Sequence, residues 1–192
     1  MNATPTLLVV DIQNDYFPGG RHPLHEPEAA ARNARRLLDA FREREWPVVH
    51  VQHIALAPAA TFFLPETPGA AIHELVRPAP GEPIVVKHRP NSFLGTGLLE
   101  TLRGAGSGPL VVVGMMSSMC IDATVRAASD LGFRVTVAED ACAAPELERN
   151  GVRVPAAAVH AAFMAALSGS YAEVVPTGSV LADSPTDRDR AG

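Results

Sequence analysis

Short apolar runs alternate with longer amphipathic stretches along this chain. "TLLVVD" (6–11), "PVVHVQH" (47–53), "PIVVKH" (83–88), "PLVVVG" (109–114), "FRVTVAED" (133–140) and "YAEVVPT" (171–177) are brief and rich in β-branched residues. Continuous apolar runs of this length mark strands covered on both faces. Between them lie segments of helical period. In "EPEAAARNARRLLDAFRERE" (26–45), Ala30, Ala34, Leu37, Leu38 and Phe41 fall on one stripe with arginines opposite. "GTGLLETLRGAG" (95–106) reads as a short helix stopped by glycines, and Cys120 to Asp130 as another with Gly132 beyond it. "VPAAAVHAAFMAALSG" (154–169) is a helix with Pro155 in its first turn. The stretch from Ile54 to Pro83 holds six prolines and reads as a long surface excursion, with a short helix near "GAAIHELV".

Strands alternating with helices predict an α/β fold, a three-layer sandwich with a six-stranded parallel sheet flanked by helices on both faces. Residues 1–182 form one expected domain, and 183–192 a flexible polar tail. A chain of 192 residues buries a full core without disulfides or a structural metal. The net charge of −5 excludes a basic footprint for nucleic acid. No apolar stretch reaches membrane-spanning length, and "TLLVVD" lacks the flanks of a secretion signal. A cytoplasmic protein is expected, with no membrane partner and with Cys120 and Cys142 reduced.

In open α/β sheets, ligands bind beyond the carboxyl ends of the strands. Asp11 follows the first strand there, with Gln13, Asn14 and Asp15 behind it. Gln52 and His53 end the second, Lys87 and His88 the third, and Cys120 lies one turn past the fourth. Lys87 is the single lysine beside fifteen arginines, which singles out a site needing a compact ammonium. A thiol, a carboxylate and an ammonium thus converge on one edge. A helix N-terminus and an ammonium favour a thiolate, and a carboxylate can take the thiol proton and return it to a leaving group.

The segments "LLVVDIQNDYF", "VVKHRPNSF" and "VVGMMSSMCIDATVRAA", in this order and spacing, resemble the isochorismatase-like cysteine hydrolases, a family that includes nicotinamidases and related amidases. The resemblance runs from about Thr6 to Pro176. It implies a catalytic Asp11, Lys87 and Cys120, a cis peptide at Met115-Met116, and an oxyanion hole from the Met116 and Cys120 N–H groups. It further implies hydrolysis of a small amide through a thioester on Cys120.

The nicotinamidases of that family hold a metal through an Asp-x-His pair. Here "HVQHIALAPAA" has no aspartate two residues before His53, and His50 and His53 face opposite sides of a strand. His22 and His25 sit in a proline-containing loop. No metal and no cofactor are therefore expected. Gln13, Phe17, His53 and Phe93 are candidate substrate contacts, and Phe62 and Phe63 of "TFFLP" candidate lid residues. Thr124 and Arg126 are expected to brace the Cys120 helix. His73, His160 and Cys142, the last placed after the fifth strand, read as structural. The excursion and the alanine-rich helix offer apolar surface for a homo-oligomer, a dimer or tetramer. Three other functions are open to the same residues. They are ester or vinyl-ether hydrolysis, the latter not needing the cysteine in the isochorismatases proper, and a thiol redox sensor built on a low-pKa Cys120. A nucleotide-binding domain is disfavoured, since "DIQNDYFPGG" is not a G-x-G-x-x-G turn.

Overall fold

The computed structural model describes residues 4–106 and 108–182. The predicted tail at 183–192 lies outside the described residues. Six parallel strands form one sheet in the order β3-β2-β1-β4-β5-β8: β1 (Thr6–Val10), β2 (Val48–His53), β3 (Ile84–Lys87), β4 (Leu110–Met115), β5 (Val135–Ala143) and β8 (Glu173–Val175). A separate antiparallel hairpin joins β6 (Leu147–Arg149) to β7 (Val152–Val154). The helices are α1 (Pro27–Glu43), α2 (Leu98–Gly104), α3 (Asp122–Asp130), α4 (Ala156–Leu167) and α5 (Thr177–Ala182).

The central strand shows why its run is apolar throughout. Leu7 and Val9 pack with the α1 stripe Ala30, Ala34, Leu37, Leu38 and Phe41, while Leu8 and Val10 pack with Leu98 and Leu102 of α2 and Val125 of α3. Alternating residues thus feed two cores, one on each face of the sheet. Pro27 opens α1, where its missing N–H costs nothing. Among the described residues, no helix is long and apolar enough to cross a membrane.

The structure departs from the sequence pattern in five places. Cys120 does not open a helix. It lies fourth in a wide turn, Ser117–Ile121, that precedes α3. The Met116 carbonyl accepts the N–H groups of Met119 and Ile121, both at 3.1 Å. Ser117 anchors the turn, donating to Ala143 O at 3.1 Å and pairing with His160 Nδ1 at 2.8 Å.

Cys142 lies inside β5 rather than after it, opposite Gly114. The pairing survives there because a register shift between Val112 and Gly114 absorbs the irregularity. The β6–β7 hairpin turns on Asn150-Gly151, both at positive φ, as a two-residue hairpin turn requires. Helix α5 is held by Asp140 Oδ1, which accepts from Thr177 N at 2.7 Å and Thr177 Oγ1 at 2.6 Å. In the excursion, the expected helix is two single turns, Pro68–Ala70 and Glu74–Val76.

Gly114 fixes how closely β4 passes β1 just below the ends that carry Asp11 and Met116. Its φ is 136°, and a Cβ there would meet the Val10 carbonyl. The conformation alone costs a residue with a side chain about 1–2 kcal/mol, before the clash. Gly114→Ala is expected to lower the thermal unfolding midpoint by at least ~5 °C, followed by circular dichroism. An unchanged midpoint would show that the strands can part there freely.

Candidate active site

Three strand ends meet above the sheet. Asp11 is the first residue past β1. It sits at φ 51°, a conformation that aspartate tolerates better than most residues, and its N–H donates to Val51 O at 3.1 Å. His53 and Lys87 are ladder partners at the ends of β2 and β3, so their side chains leave the sheet on the same face. Lys87 is fully buried although β3 is an edge strand. Its Nζ lies 2.7 Å from Asp11 Oδ2 and donates to the carbonyls of Arg89 and Pro90, each at 3.0 Å. A carboxylate and two carbonyls thus crowd one compact point, which suits an ammonium better than a planar guanidinium. Thr124 braces that loop from α3: its Oγ1 lies 2.8 Å from Ser92 Oγ and accepts from Ser92 N at 3.2 Å.

Ligating atoms of Asp11, His53 and Cys120 all lie within 4.8 Å of one another. Asp11 and Lys87 side chains are inaccessible to solvent, whereas the His53 side chain keeps 17 % exposure. Cys120 is buried. His53 Nδ1 is 3.5 Å from Lys87 Nζ and 3.9 Å from Asp11 Oδ2.

Burial raises the Asp11 carboxyl above its ordinary range, and the Lys87 charge only partly offsets this. Burial opposes the Lys87 ammonium, but the Asp11 charge beside it helps to outweigh this and keeps it protonated. The Cys120 thiol is pushed up by burial and by Asp11, against Lys87. At rest, then, the thiol holds its proton, contrary to the thiolate expected from the ammonium and helix end. Burial and the Lys87 and His88 charges bring His53 down to about 4, so its imidazole is neutral.

The Asp11, His53 and Cys120 atoms form a metal-compatible set by residue type, yet they do not suit a divalent ion. The Lys87 ammonium lies 2.7 Å from Asp11 Oδ2 and 3.5 Å from His53 Nδ1, so a cation held by these residues would sit beside a fixed positive charge.

The other expected site residues divide. Gln13 is fully buried and spends its amide on the main chain. It donates to His53 O at 2.9 Å and Ala70 O at 2.7 Å, and accepts from His53 N at 2.7 Å. It is a clamp on β2 and the excursion, with nothing left for a substrate. Phe17 stacks on His73 at 3.7 Å between ring centroids, and Phe93 packs in the opposite core facing Phe133 at 6.2 Å. Phe17 thus belongs to the core on the α1 side, whereas Phe93 packs against the core that contains Cys120.

The aromatic that does approach is Phe63, fully buried and 5.8 Å from His53 between ring centroids. Tyr16 lies 4.6 Å from Phe63 and feels the Cys120 and Asp11 charges, which together with burial hold its hydroxyl protonated. Phe63 is fastened by Asp15, whose Oδ2 accepts Phe63 N at 2.6 Å while Oδ1 accepts Arg21 N at 3.1 Å. A buried carboxylate four residues after Asp11 was the available signal for this staple. The peptide between Met115 and Met116 is cis, and both residues are buried.

The thiol's protonation is testable by alkylation. Removing the Asp11 charge while Lys87 remains is expected to lower the Cys120 pKa. Asp11→Asn should therefore react faster with iodoacetamide at pH 7.5 than the parent protein. Slower alkylation of Asp11→Asn would mean that the carboxylate, not the ammonium, activates the thiol at rest.

Residues 5–177 match the model of the isochorismatase domain family. The uncharacterized isochorismatase family protein YddQ of Bacillus subtilis is 54 % identical over 178 residues, covering 93 % of this chain and 99 % of that protein. Maleamate amidohydrolase of Pseudomonas putida is 31 % identical, covering 71 % of this chain and 70 % of its own. Among solved structures, an isochorismatase hydrolase from Oleispira antarctica superposes with a TM-score of 0.90 at 50 % identity, over 93 % of this chain and 96 % of that one.

Proposed function

Because the chain belongs to the isochorismatase family, a family of hydrolases, we propose that it cleaves the C–N bond of a small amide through a thioester on Cys120. The observation that carries this reading is the buried Asp11–Lys87 ion pair at 2.7 Å with the thiol beside it. The amidohydrolase among the relatives supports the choice of bond.

In this mechanism Asp11 removes the thiol proton as Sγ attacks the carbonyl carbon. A protonated resting thiol fits such coupled transfer, because the nucleophile is generated only when an electrophile is present. Lys87 balances the charge that moves between carboxylate and sulfur. The N–H groups of Met116 and Cys120 receive the oxyanion, a device worth roughly 3–4 kcal/mol per donor. The amine departs with the proton that Asp11 holds. Water then releases the acyl group, again with Asp11 as base.

A redox-sensing role fits less well. Sensor thiols are accessible and ionise readily, whereas burial and Asp11 hold this one protonated.

A panel of small amides should reveal turnover that Cys120→Ala lowers by at least ~10³-fold, with an acyl adduct on Cys120 by mass spectrometry under a slow substrate. Undiminished activity in that variant sinks the proposal. Asp11 must be ionised to act, and its pKa is raised. Activity should therefore fall as pH drops through a limb lying above the usual carboxylate range. Chelator is expected to leave the rate unchanged. Loss that added divalent metal restores would overturn the metal-independent reading.

A further inference from the structure

Within this hydrolase reading, on which the inference rests, we propose that His53 is a positioning residue that holds the water releasing the acyl group from Cys120.

Two unsatisfied groups define where that water sits. The first is the Asp11 carboxylate, whose two oxygens are buried and without a hydrogen-bond partner among the described residues; Oδ2 faces the Lys87 ammonium as an ion pair, and Oδ1 has no such charge beside it. Such orphaned acceptors are rare and ask for a donor. In the resting site the Cys120 thiol is at hand. In the acyl-enzyme the thiol proton has left with the amine, and Oδ1 stands open again.

The second is the far nitrogen of His53. Its Nδ1 faces the Lys87 ammonium, which has donors only, so Nδ1 presents its lone pair and the ring proton sits on Nε2. Nε2–H has no partner among the side-chain and main-chain groups described. It belongs to the most exposed member of the cluster, at 17 % for the His53 side chain against 3 % for Cys120 and none for Asp11 or Lys87. A water arriving at Asp11 therefore passes this imidazole. Accepting from Nε2–H and donating to Oδ1, the water presents its oxygen lone pair toward the carbonyl bonded to Sγ.

The placement of the ring is not left to chance. Gln13 grips both the N–H and the C=O of His53, and ladder pairing with Lys87 sets the face. The imidazole stays neutral over the working pH range, so it serves as a fixed donor and adds no charge beside Lys87.

The step balances. The water oxygen bonds to the thioester carbon as one water proton passes to Asp11. The C–S bond then breaks, Sγ takes that proton back, and a carboxylic acid leaves. One water is consumed and the thiol and carboxylate return to their starting forms. No oxidant or metal enters.

The test uses p-nitrophenyl acetate, which acylates an available thiol and reports p-nitrophenolate release directly. In the full-length protein, His53→Phe should acetylate within about threefold of the parent rate but deacetylate at least ~50-fold more slowly. A burst approaching one equivalent per Cys120 should appear, with the acetyl adduct persisting by mass spectrometry. Hydroxylamine, which needs no held water, should restore release. His53→Asn, which keeps a donor, should recover much of the lost rate, and His53→Ala should reproduce the burst without the bulk of the phenyl ring. A burst and steady state slowed in equal measure, or no accumulation in either the Phe or the Ala variant, overturns the inference. Absence of any adduct on Cys120 in the parent protein overturns the thioester reading itself, a separate result.

Discussion

Two opposite charges, Asp11 and Lys87, are sealed from solvent at the edge of the sheet. Removing each from water costs several kcal/mol, and their attraction offsets this only when the geometry is good and the remaining hydrogen-bonding capacity is met. That condition organises the surroundings. Lys87 needs two carbonyls besides the carboxylate, so the chain after β3 folds back to present those of Arg89 and Pro90. That loop needs bracing, and Ser92 finds Thr124 on α3. The same helix follows the turn that carries Cys120. The ion pair, the brace and the Cys120 thiol are thus parts of one construction, and the thiol's resistance to ionisation follows from sharing its burial.

The parallel strands of the main sheet were legible because a strand buried on two faces leaves a continuous apolar signature. Asp11, Lys87, His53 and Cys120 were legible because parallel topology sends strand ends to one side. What stayed hidden depended on contacts between segments far apart in the chain. Gln13 looks like a substrate contact until its partners, at residues 53 and 70, are seen to be main-chain groups. Phe17 and Phe93 follow the motifs closely but turn into opposite cores. Phe63 lies in a proline-rich stretch without period, and only the Asp15 staple brings it inward.

Some misses were local. "LERNGVRV" carries the Asn-Gly signal of a tight hairpin, obscured by its charged neighbours. The end of β5, "ACA" (141–143), reads as a loop because its small residues carry no strand pattern, yet its ladder continues past the irregularity opposite Gly114. The wide turn before α3 has no period of its own to announce it, since it rests on the Met116 carbonyl and on anchors at Ala143 and His160.

The long excursion between β2 and β3 is fastened to the segment after β1 by Asp15 to Phe63, Gln13 to Ala70, Asn14 to Ala71 and Pro68, and His73 to Ile12, and its far end is tied to α1 and β2 through Glu82, which pairs with Arg42 and His50. The reacting groups stand on the sheet and the loops rooted in it, while the Phe63 wall comes from this segment. Bond-breaking and shape are therefore written in different stretches of the gene. A lineage exchanging the unanchored positions of residues 54–83 would reshape the surroundings of Phe63 without rebuilding the ion pair. Under the proposed hydrolysis, the residues that would break the bond and those that would choose the substrate can change independently.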